Sequence, residues 1–166
     1  MKLNRKGFTL IELLAVVIVL GLVMTIVFSD SIDVFKNAKL KSEEAFLDRL
    51  SQSIDSYIEL NTDKITFNGS FTGNKSKGES SYEVQIAKGT ETTMSDVIND
   101  KIITASDYIN PSNKIACNIN AEIEVYRDED FVYCHKVKKD SLGCLTDEYK
   151  NSIGAYAIDT CIWTEE

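Results

Sequence analysis

Positive charge is scarce in this chain. The 166 residues include 18 Lys and Arg against 26 Asp and Glu, which gives a formal charge of −8 at neutral pH. Binding to a nucleic acid duplex relies on grouped Lys and Arg side chains that displace counterions from phosphates. The sequence has no basic stripe with interleaved aromatic residues. It therefore predicts no nucleic acid partner.

The sequence motifs of catalysis and cofactor binding are also missing. There is no GxSxG, P-loop or dinucleotide glycine pattern, the arrangements that position a nucleophile or a phosphate. His135 is the only histidine, and Cys134 beside it should point to the opposite face of a strand, because successive strand side chains alternate. We predict a protein that is not an enzyme and that has no cofactor.

Metal ligands are few. No CxxC spacing occurs and only one histidine is available, whereas a structural zinc site needs four ligands, usually Cys and His. The acidic turn Asp128, Glu129 and Asp130 offers oxygen atoms of the kind that calcium prefers. A solvated hairpin turn has the same composition, and we predict that turn and no metal.

Charge is nearly absent from one apolar run of 21 residues, Phe8 to Phe28. Glu12 is its only charged residue. At about 1.5 Å rise per residue, a helix of this length reaches roughly 32 Å, the thickness of a bilayer's hydrocarbon core. A secretory signal peptide would be shorter and would end at a small-residue cleavage site. Three basic residues precede the run, and the positive-inside rule therefore places the N-terminus in the cytoplasm: Lys2, Arg5 and Lys6.

Glu12 is unusual in such a run. A carboxylate near the middle of a spanning helix costs on the order of 2.5 to 3.5 kcal/mol. Glu12 lies about 6 Å below the first apolar residue, so one explanation is that its side chain reaches water. The other is that it meets a positive charge. A cut after Gly7 would give Phe8 a protonated α-amino group, on the same helix face as Glu12 or within reach of a staggered neighbouring helix.

The segment KGFTLIE, followed by an unbroken apolar run, resembles the class III signal of type IV pilins and of the pseudopilins of type II secretion and competence systems. The resemblance covers residues 1–60. It implies that a prepilin peptidase cuts between Gly7 and Phe8 and methylates the new amine of Phe8. It also implies that Glu12 pairs with the N-terminal amine of an adjacent subunit. Many family members have a proline late in the membrane half, whereas the only proline here is Pro111.

Residues 29–60 contain no Gly or Pro and repeat apolar residues at spacings of three and four, which predicts an amphipathic helix. Asn61, Thr62 and Asp63 should end it. Its inward stripe is predicted to be Phe46, Leu47, Leu50, Ile54, Tyr57 and Ile58. Its charged residues are predicted to occupy the other faces: Lys39, Lys41, Glu43, Glu44, Asp48, Arg49 and Glu59.

The rest of the chain predicts short elements. These are an exposed loop with room for a short hairpin over 67–81, a strand with Tyr82, Val84 and Ile86 inward, a short helix over 92–99 with Val97 and Ile98 inward, a hairpin over 121–137 with a charged turn at 127–130, and a last strand over 154–163. A helix followed by an antiparallel sheet is α+β, with the helix on one face of the sheet, as in the pilin architecture. The predicted divisions are leader 1–7, membrane and filament-core helix 8–28, amphipathic helix 29–60 and extracellular head 61–166.

Four cysteines lie in the last third of the chain, which suits two disulfides in an oxidising compartment outside the cytoplasm: Cys117, Cys134, Cys144 and Cys161. Three pairings are open from the residues alone. The resemblance implies a bridge that closes a C-terminal loop, hence Cys144 with Cys161 and Cys117 with Cys134.

Together these features predict a structural subunit of a type IV pilus or related pseudopilus, single-pass in the membrane before assembly and on the cell surface afterwards. The implied partners are other pilin subunits, prepilin peptidase, the inner or cytoplasmic membrane and the pilus assembly machinery. Glu12 disfavours the tip-capping pseudopilin type, and the missing proline slightly favours a minor pilin. The alternatives are a type II secretion or competence pseudopilin and a single-pass membrane-anchored extracytoplasmic binding or adhesion protein.

Overall fold

A computed structural model describes residues 9–77 and 80–165, and the side chains of that part other than residues 25–31, 77 and 165. The chain divides into two compact units, Met1–Lys39 and Leu40–Glu166. The elements in chain order are α1 (Leu10–Leu60), β1 (Phe67–Lys77), β2 (Ser80–Gly89), β3 (Thr92–Thr93), α2 (Met94–Asn99), β4 (Glu122–Asp128), β5 (Tyr133–Lys138), α3 (Lys139–Leu142), α4 (Asp147–Ser152), β6 (Tyr156–Asp159) and β7 (Trp163–Glu165).

All strands of the second unit pair antiparallel, in the order β6-β5-β4-β2-β1-β7 with β3 beside β4. The α1 residues of this unit share one apolar core with inward side chains of β4, β5 and β6. Helix and antiparallel sheet are thus combined, and the α+β class is confirmed at this level.

The predicted stripe on residues 46–58 of α1 is confirmed. Its six side chains are all buried in the core of the second unit: Phe46, Leu47, Leu50, Ile54, Tyr57 and Ile58. The helix ends at Leu60, where the sequence predicts its end. Asn61 stabilises this end, because its Nδ2 donates to the Tyr57 carbonyl at 3.0 Å, one of the carbonyls that the helix itself leaves without a partner.

The hairpin β1–β2 stands where the composition of residues 67–81 predicts an exposed loop. Its strands pair from Phe67 with Gly89 to Lys77 with Ser80. The segment is therefore a long hairpin, where the sequence predicts a loop with room for only a short one. Asn, Ser, Gly and Lys are poor strand formers, but β1 has partners on both sides, β2 and β7. Backbone pairing therefore outweighs local preference here.

Two glycines shape β1. Gly69 has a φ of +72° at an irregularity of the pairing, a conformation that glycine adopts without steric cost. A Cβ at Gly73 would lie 3.1 Å from Ile86 Cγ1 and 3.3 Å from Trp163 Cε3. Glycine at this position lets β1 lie close to both side chains.

The other short elements follow the sequence with small corrections. The hairpin over 121–137 is β4 and β5. The helix predicted over 92–99 is shorter, because Thr92 and Thr93 form β3 and α2 begins at Met94, with Thr93 and Asp96 forming a capping box at its start. Val97 is buried and Ile98 is partly buried against the core. In β2, Val84 and Ile86 are buried as predicted, but Tyr82 is 45% exposed because the outer part of the hairpin extends beyond the core.

The predicted last strand is two strands at opposite ends of the strand order, β6 and β7, separated by residues 160–162. In a flat sheet, five strand spacings of about 4.8 Å would put these edges about 24 Å apart. The four Cα steps from Asp159 to Trp163 reach at most about 15 Å. The sheet therefore curls until its two edges approach each other.

All four cysteines form disulfides, as predicted, but the predicted pairing is wrong. The bridges are Cys117–Cys144 and Cys134–Cys161, not Cys117–Cys134 and Cys144–Cys161. The pairing follows the fold: β6 lies beside β5 and brings Cys161 to Cys134. For the other bridge, a backbone hydrogen bond of 2.9 Å from Asn118 N to the Leu142 carbonyl holds the segment before Cys144 next to the segment after Cys117.

Candidate functional site

The first turn of α1 is closed by a reciprocal pair, Thr9 and Glu12. The backbone N and the Oγ1 of Thr9 both donate to Glu12 Oε2 at 3.1 Å, and Glu12 N lies 3.4 Å from Thr9 Oγ1. This is a capping box, which satisfies N–H groups that a helix start leaves without partners. A carboxylate in the first turn also interacts favourably with the helix dipole. Sequence reasoning missed this role, although Thr-x-x-Glu before an apolar run is its usual signal.

Both predicted processing residues, Gly7 and Phe8, lie outside the described residues, as does the leader 1–7. The contact between Glu12 and the Phe8 amine therefore stays a prediction. What the structure adds is the local partner of Glu12, the Thr9 side chain and backbone.

Apart from Glu12, the helix surface of residues 10–24 is apolar on every face and uncovered. The large apolar side chains between residues 10 and 24 are each at least half exposed: Leu10, Ile11, Leu13, Leu14, Val16, Val17, Ile18, Val19, Leu20, Leu22, Val23 and Met24. A helix that is apolar all round belongs in a protein core or a membrane. Across the residues that the structure describes, no helical segment combines the length and the apolarity needed to cross a membrane; the predicted span 8–28 extends beyond them at residue 8 and at side chains 25–28.

Glu43 is fully buried, which corrects its predicted place on a charged face of the helix. Asn110 Nδ2 donates to Glu43 Oε1 at 2.8 Å, and Thr146 donates from Oγ1 to Oε2 at 3.0 Å and from its backbone N to Oε1 at 3.3 Å. Asn110 also donates to the Cys144 carbonyl at 2.9 Å. Glu43 thus ties α1 to two loops of the head. The sequence held a signal, because Glu43 precedes Phe46 and Leu47 by three and four residues and so shares their face.

His135 is a second buried polar group facing α1. Its Nδ1 lies 3.1 Å from Asp55 Oδ1 and 3.3 Å from Thr160 Oγ1, and its Nε2 lies 3.2 Å from Ser51 Oγ. Cys134 packs on the opposite side of β5 with Trp163, as strand alternation predicts.

Asp55, His135 and Ser51 are hydrogen-bonded in the same sequence of contacts as the acid, base and nucleophile of a hydrolytic triad. The surroundings of Ser51, however, do not suit acyl transfer. Ser51 lies inside α1, whose backbone N–H groups are engaged in the helix. The N–H groups of α1 around Ser51 therefore offer no pair of free donors to an oxyanion. The three side chains instead link the helix to the sheet.

Acidification should weaken this link. Burial lowers the pKa of His135 below its usual 6.5, although the charge and hydrogen bond of Asp55, and more distantly Asp159, act in the opposite direction. The unfolded chain thus binds a proton that the folded chain does not, so stability is complete above about pH 6.5 and falls as the pH drops below it. We expect wild type to lose more unfolding free energy than His135→Gln between about pH 7.5 and about pH 5.5 in urea titrations. An equal loss in both proteins would contradict the prediction.

In the acidic turn after β4, the Asp128 carboxylate binds groups of the same chain. Asp128 is buried, forms an ion pair with Lys75, and accepts at Oδ1 from Asp130 N at 3.0 Å and from Val132 N at 2.8 Å. The turn is thus only partly the solvated turn that the sequence predicts, since Glu129 and Asp130 are exposed and Asp128 is not. Among the described residues, no three His, Cys, Asp or Glu side chains are grouped to hold a metal ion.

Comparison with known proteins identifies the N-terminus alone. Residues 2–28 match the family model described as Prokaryotic N-terminal methylation motif. No curated protein and no solved structure matches the chain. The matched segment is the class III, or prepilin-type, signal, and it contains Gly7, Phe8, Thr9 and Glu12. A motif of this kind marks a substrate of prepilin peptidase.

Proposed function

We propose, from the prepilin-type motif at residues 2–28, that the chain is a structural subunit of a type IV pilus or related pseudopilus, and within that class a minor pilin. In this proposal, prepilin peptidase cuts between Gly7 and Phe8 and methylates Phe8. The chain crosses the membrane once, with its N-terminus in the cytoplasm, and later lies in a surface filament. In the structure, the proposal is supported by the uncovered apolar surface of residues 10–24.

This surface needs an apolar environment at each stage. Burying apolar surface is worth about 25 cal/mol per Å², so exposing a dozen large apolar side chains to water is strongly unfavourable. A bilayer meets the requirement before assembly, and a bundle of identical helices meets it in the filament. The same residues can therefore serve as membrane anchor and as filament core.

Glu12 has two oxygens, and the Thr9 contacts both use Oε2. We assign Oε1 to the α-amino group of Phe8 on an adjacent subunit. In the apolar filament core an ion pair is screened less than in water, so this contact favours one stagger between neighbouring helices. The capping box keeps Glu12 at the helix start while the partner arrives.

The two roles of Glu12 can be separated by substitution. Glu12→Gln keeps a side chain that can serve in a capping box but removes the charge, and Glu12→Ala removes both. We expect both variants to be processed but to enter filaments about tenfold less than wild type, since about 1.4 kcal/mol of contact energy changes an association constant tenfold. The measurement is the amount of the chain in filaments sheared from cells, relative to the amount left in membranes.

Glu59→Ala is the matched control, because Glu59 is an exposed carboxylate of the same helix, and it should assemble normally. If Glu12→Gln assembles like wild type, capping and not charge is the role of Glu12. If wild type never appears in sheared filaments, the filament proposal is wrong and a membrane-anchored binding protein takes its place.

A further inference from the structure

Lys75 and Asp128 form an ion pair within the head, away from the N-terminal site. Lys75 lies on β1 and Asp128 ends β4, with β2 between these two strands. Their side chains are 7% and 3% exposed. The pair therefore connects two strands that do not hydrogen-bond to each other.

The surroundings of the pair are apolar and aromatic. A small core of Val84, Ile86, Tyr126 and Trp163, closed by the Cys134–Cys161 bridge, lies on this side of the sheet. Beside the pair is a cavity of about 120 Å³ lined partly by Val132, Thr160 and Trp163. Burying two charges away from water is unfavourable, so a neutral product of the same two side chains would remove that penalty.

The carboxylate of Asp128 is held as an acyl group is held before attack. Oδ1 accepts from the backbone N of Asp130 at 3.0 Å and of Val132 at 2.8 Å, the distances at which N–H donors stabilise a developing oxyanion. Oδ2 faces Lys75 Nζ. The oxygen that would carry negative charge and the oxygen that would leave are thus already distinguished.

We propose that Lys75 Nζ and Asp128 Cγ condense to an intramolecular amide that joins β1 to β4. The pair starts charged, because the hydrogen bond to Asp128 raises the pKa of Lys75 although burial opposes it. One Nζ proton passes to Oδ2, the neutral amine attacks Cγ, and Oδ1 carries the charge between its two N–H donors. A second Nζ proton passes to Oδ2, the C–Oδ2 bond breaks and water leaves. The ammonium and carboxylate become one amide and one water, with no other reactant.

The fold favours this condensation, which does not proceed readily between free groups in water, by holding the two groups together and excluding bulk water. Two groups held in contact react with effective molarities of about 10⁵ to 10⁸ M in favourable cases, and the cavity beside the pair has room for the departing water. Burial also keeps bulk water from reversing the reaction. An amide would connect β1 of the hairpin β1–β2 covalently to the central strand β4.

The test is mass spectrometry of the full chain, purified in detergent, reduced, alkylated and digested with trypsin. An acylated Lys75 is not cut, so we expect peptide 65–77 joined to peptide 128–136, lighter than their sum by one water. Separate peptides ending at Lys75 and containing an unmodified Asp128 would overturn the proposal. This readout does not depend on the N-terminus or on filament assembly.

Three variants make the assignment specific. Lys75→Arg keeps the charge and Asp128→Ala removes the acyl group, and neither should give the joined peptides. Lys136→Arg changes the other lysine buried near Trp163 and should retain the link between the same two peptides. Loss of the link in Lys136→Arg, or its persistence in Lys75→Arg, would show that a different lysine reacts and would contradict the proposal.

Discussion

Replacing Gly7 with tryptophan should leave the whole population of the chain as uncut precursor, with none in filaments. Gly7 is the residue before the proposed cut in the prepilin-type motif. A peptidase that accepts glycine there closes on a backbone without a Cβ, and an indole cannot occupy the same space. Without the cut, Phe8 has no α-amino group and Glu12 has no cation to meet. N-terminal sequencing and intact mass of the membrane fraction measure the result.

Gly21→Ala is the matched control for this experiment. A Cβ at Gly21 would meet no other group within 4 Å, and alanine favours a helix over glycine by about 1 kcal/mol. This variant should be cut like wild type. A mature N-terminus at Phe8 in Gly7→Trp would show that the cleavage site is not defined by Gly7, and a mature chain beginning after residue 28 would show that the motif is not processed as proposed.

Glu43→Ala should lower the unfolding free energy of the head by about 3 kcal/mol, because it leaves buried donors of Asn110 and Thr146 without their acceptor and each such donor costs about 1–3 kcal/mol. For a head of this size the loss corresponds to roughly 10 °C in Tm. Trp163 is the only tryptophan and is buried, so its fluorescence reports unfolding of the full chain in detergent.

Glu44→Ala changes the neighbouring, exposed carboxylate and should alter stability by less than about 0.5 kcal/mol. Glu43→Gln should lose an amount of unfolding free energy between those of the two other variants. Its amide oxygen can still accept a hydrogen bond, but its NH₂ group replaces the second acceptor oxygen of Glu43. Equal losses in Glu43→Ala and Glu44→Ala would mean that the buried contacts with Asn110 and Thr146 do not stabilise the head.

Local patterns predicted the features that local residues determine. The spacing of Phe46, Leu50 and Ile54 is enough to place the buried face of α1, because helix geometry decides which side chains share a face. The same spacing includes Glu43, but its charge argued for an exposed position. Its acceptor role depends on Asn110 and Thr146, 67 and 103 residues away, and no local pattern brings these residues together.

Features set by strand neighbours could not be predicted in this way. The composition of β1 indicates a loop, and only pairing with β2 and β7 makes it a strand. The disulfide pairing likewise depends on β6 lying beside β5. At the candidate site, by contrast, the motif that contains Gly7 and Glu12 could be recognised from the sequence. The capping role of Thr9 could also have been predicted, from residues 9–12 of the same segment.

The disulfides Cys117–Cys144 and Cys134–Cys161 overlap along the chain, which changes how the head responds to a protease. Had the bridges been side by side, the backbone between residues 134 and 144 would be the only covalent link between two halves, and one cut there would release the C-terminal half. With overlapping bridges, a cut after Lys138 or Lys139 leaves both halves joined through two disulfides. A nick in this segment thus sheds no fragment, and loss of the C-terminal half by that route requires a reductant as well.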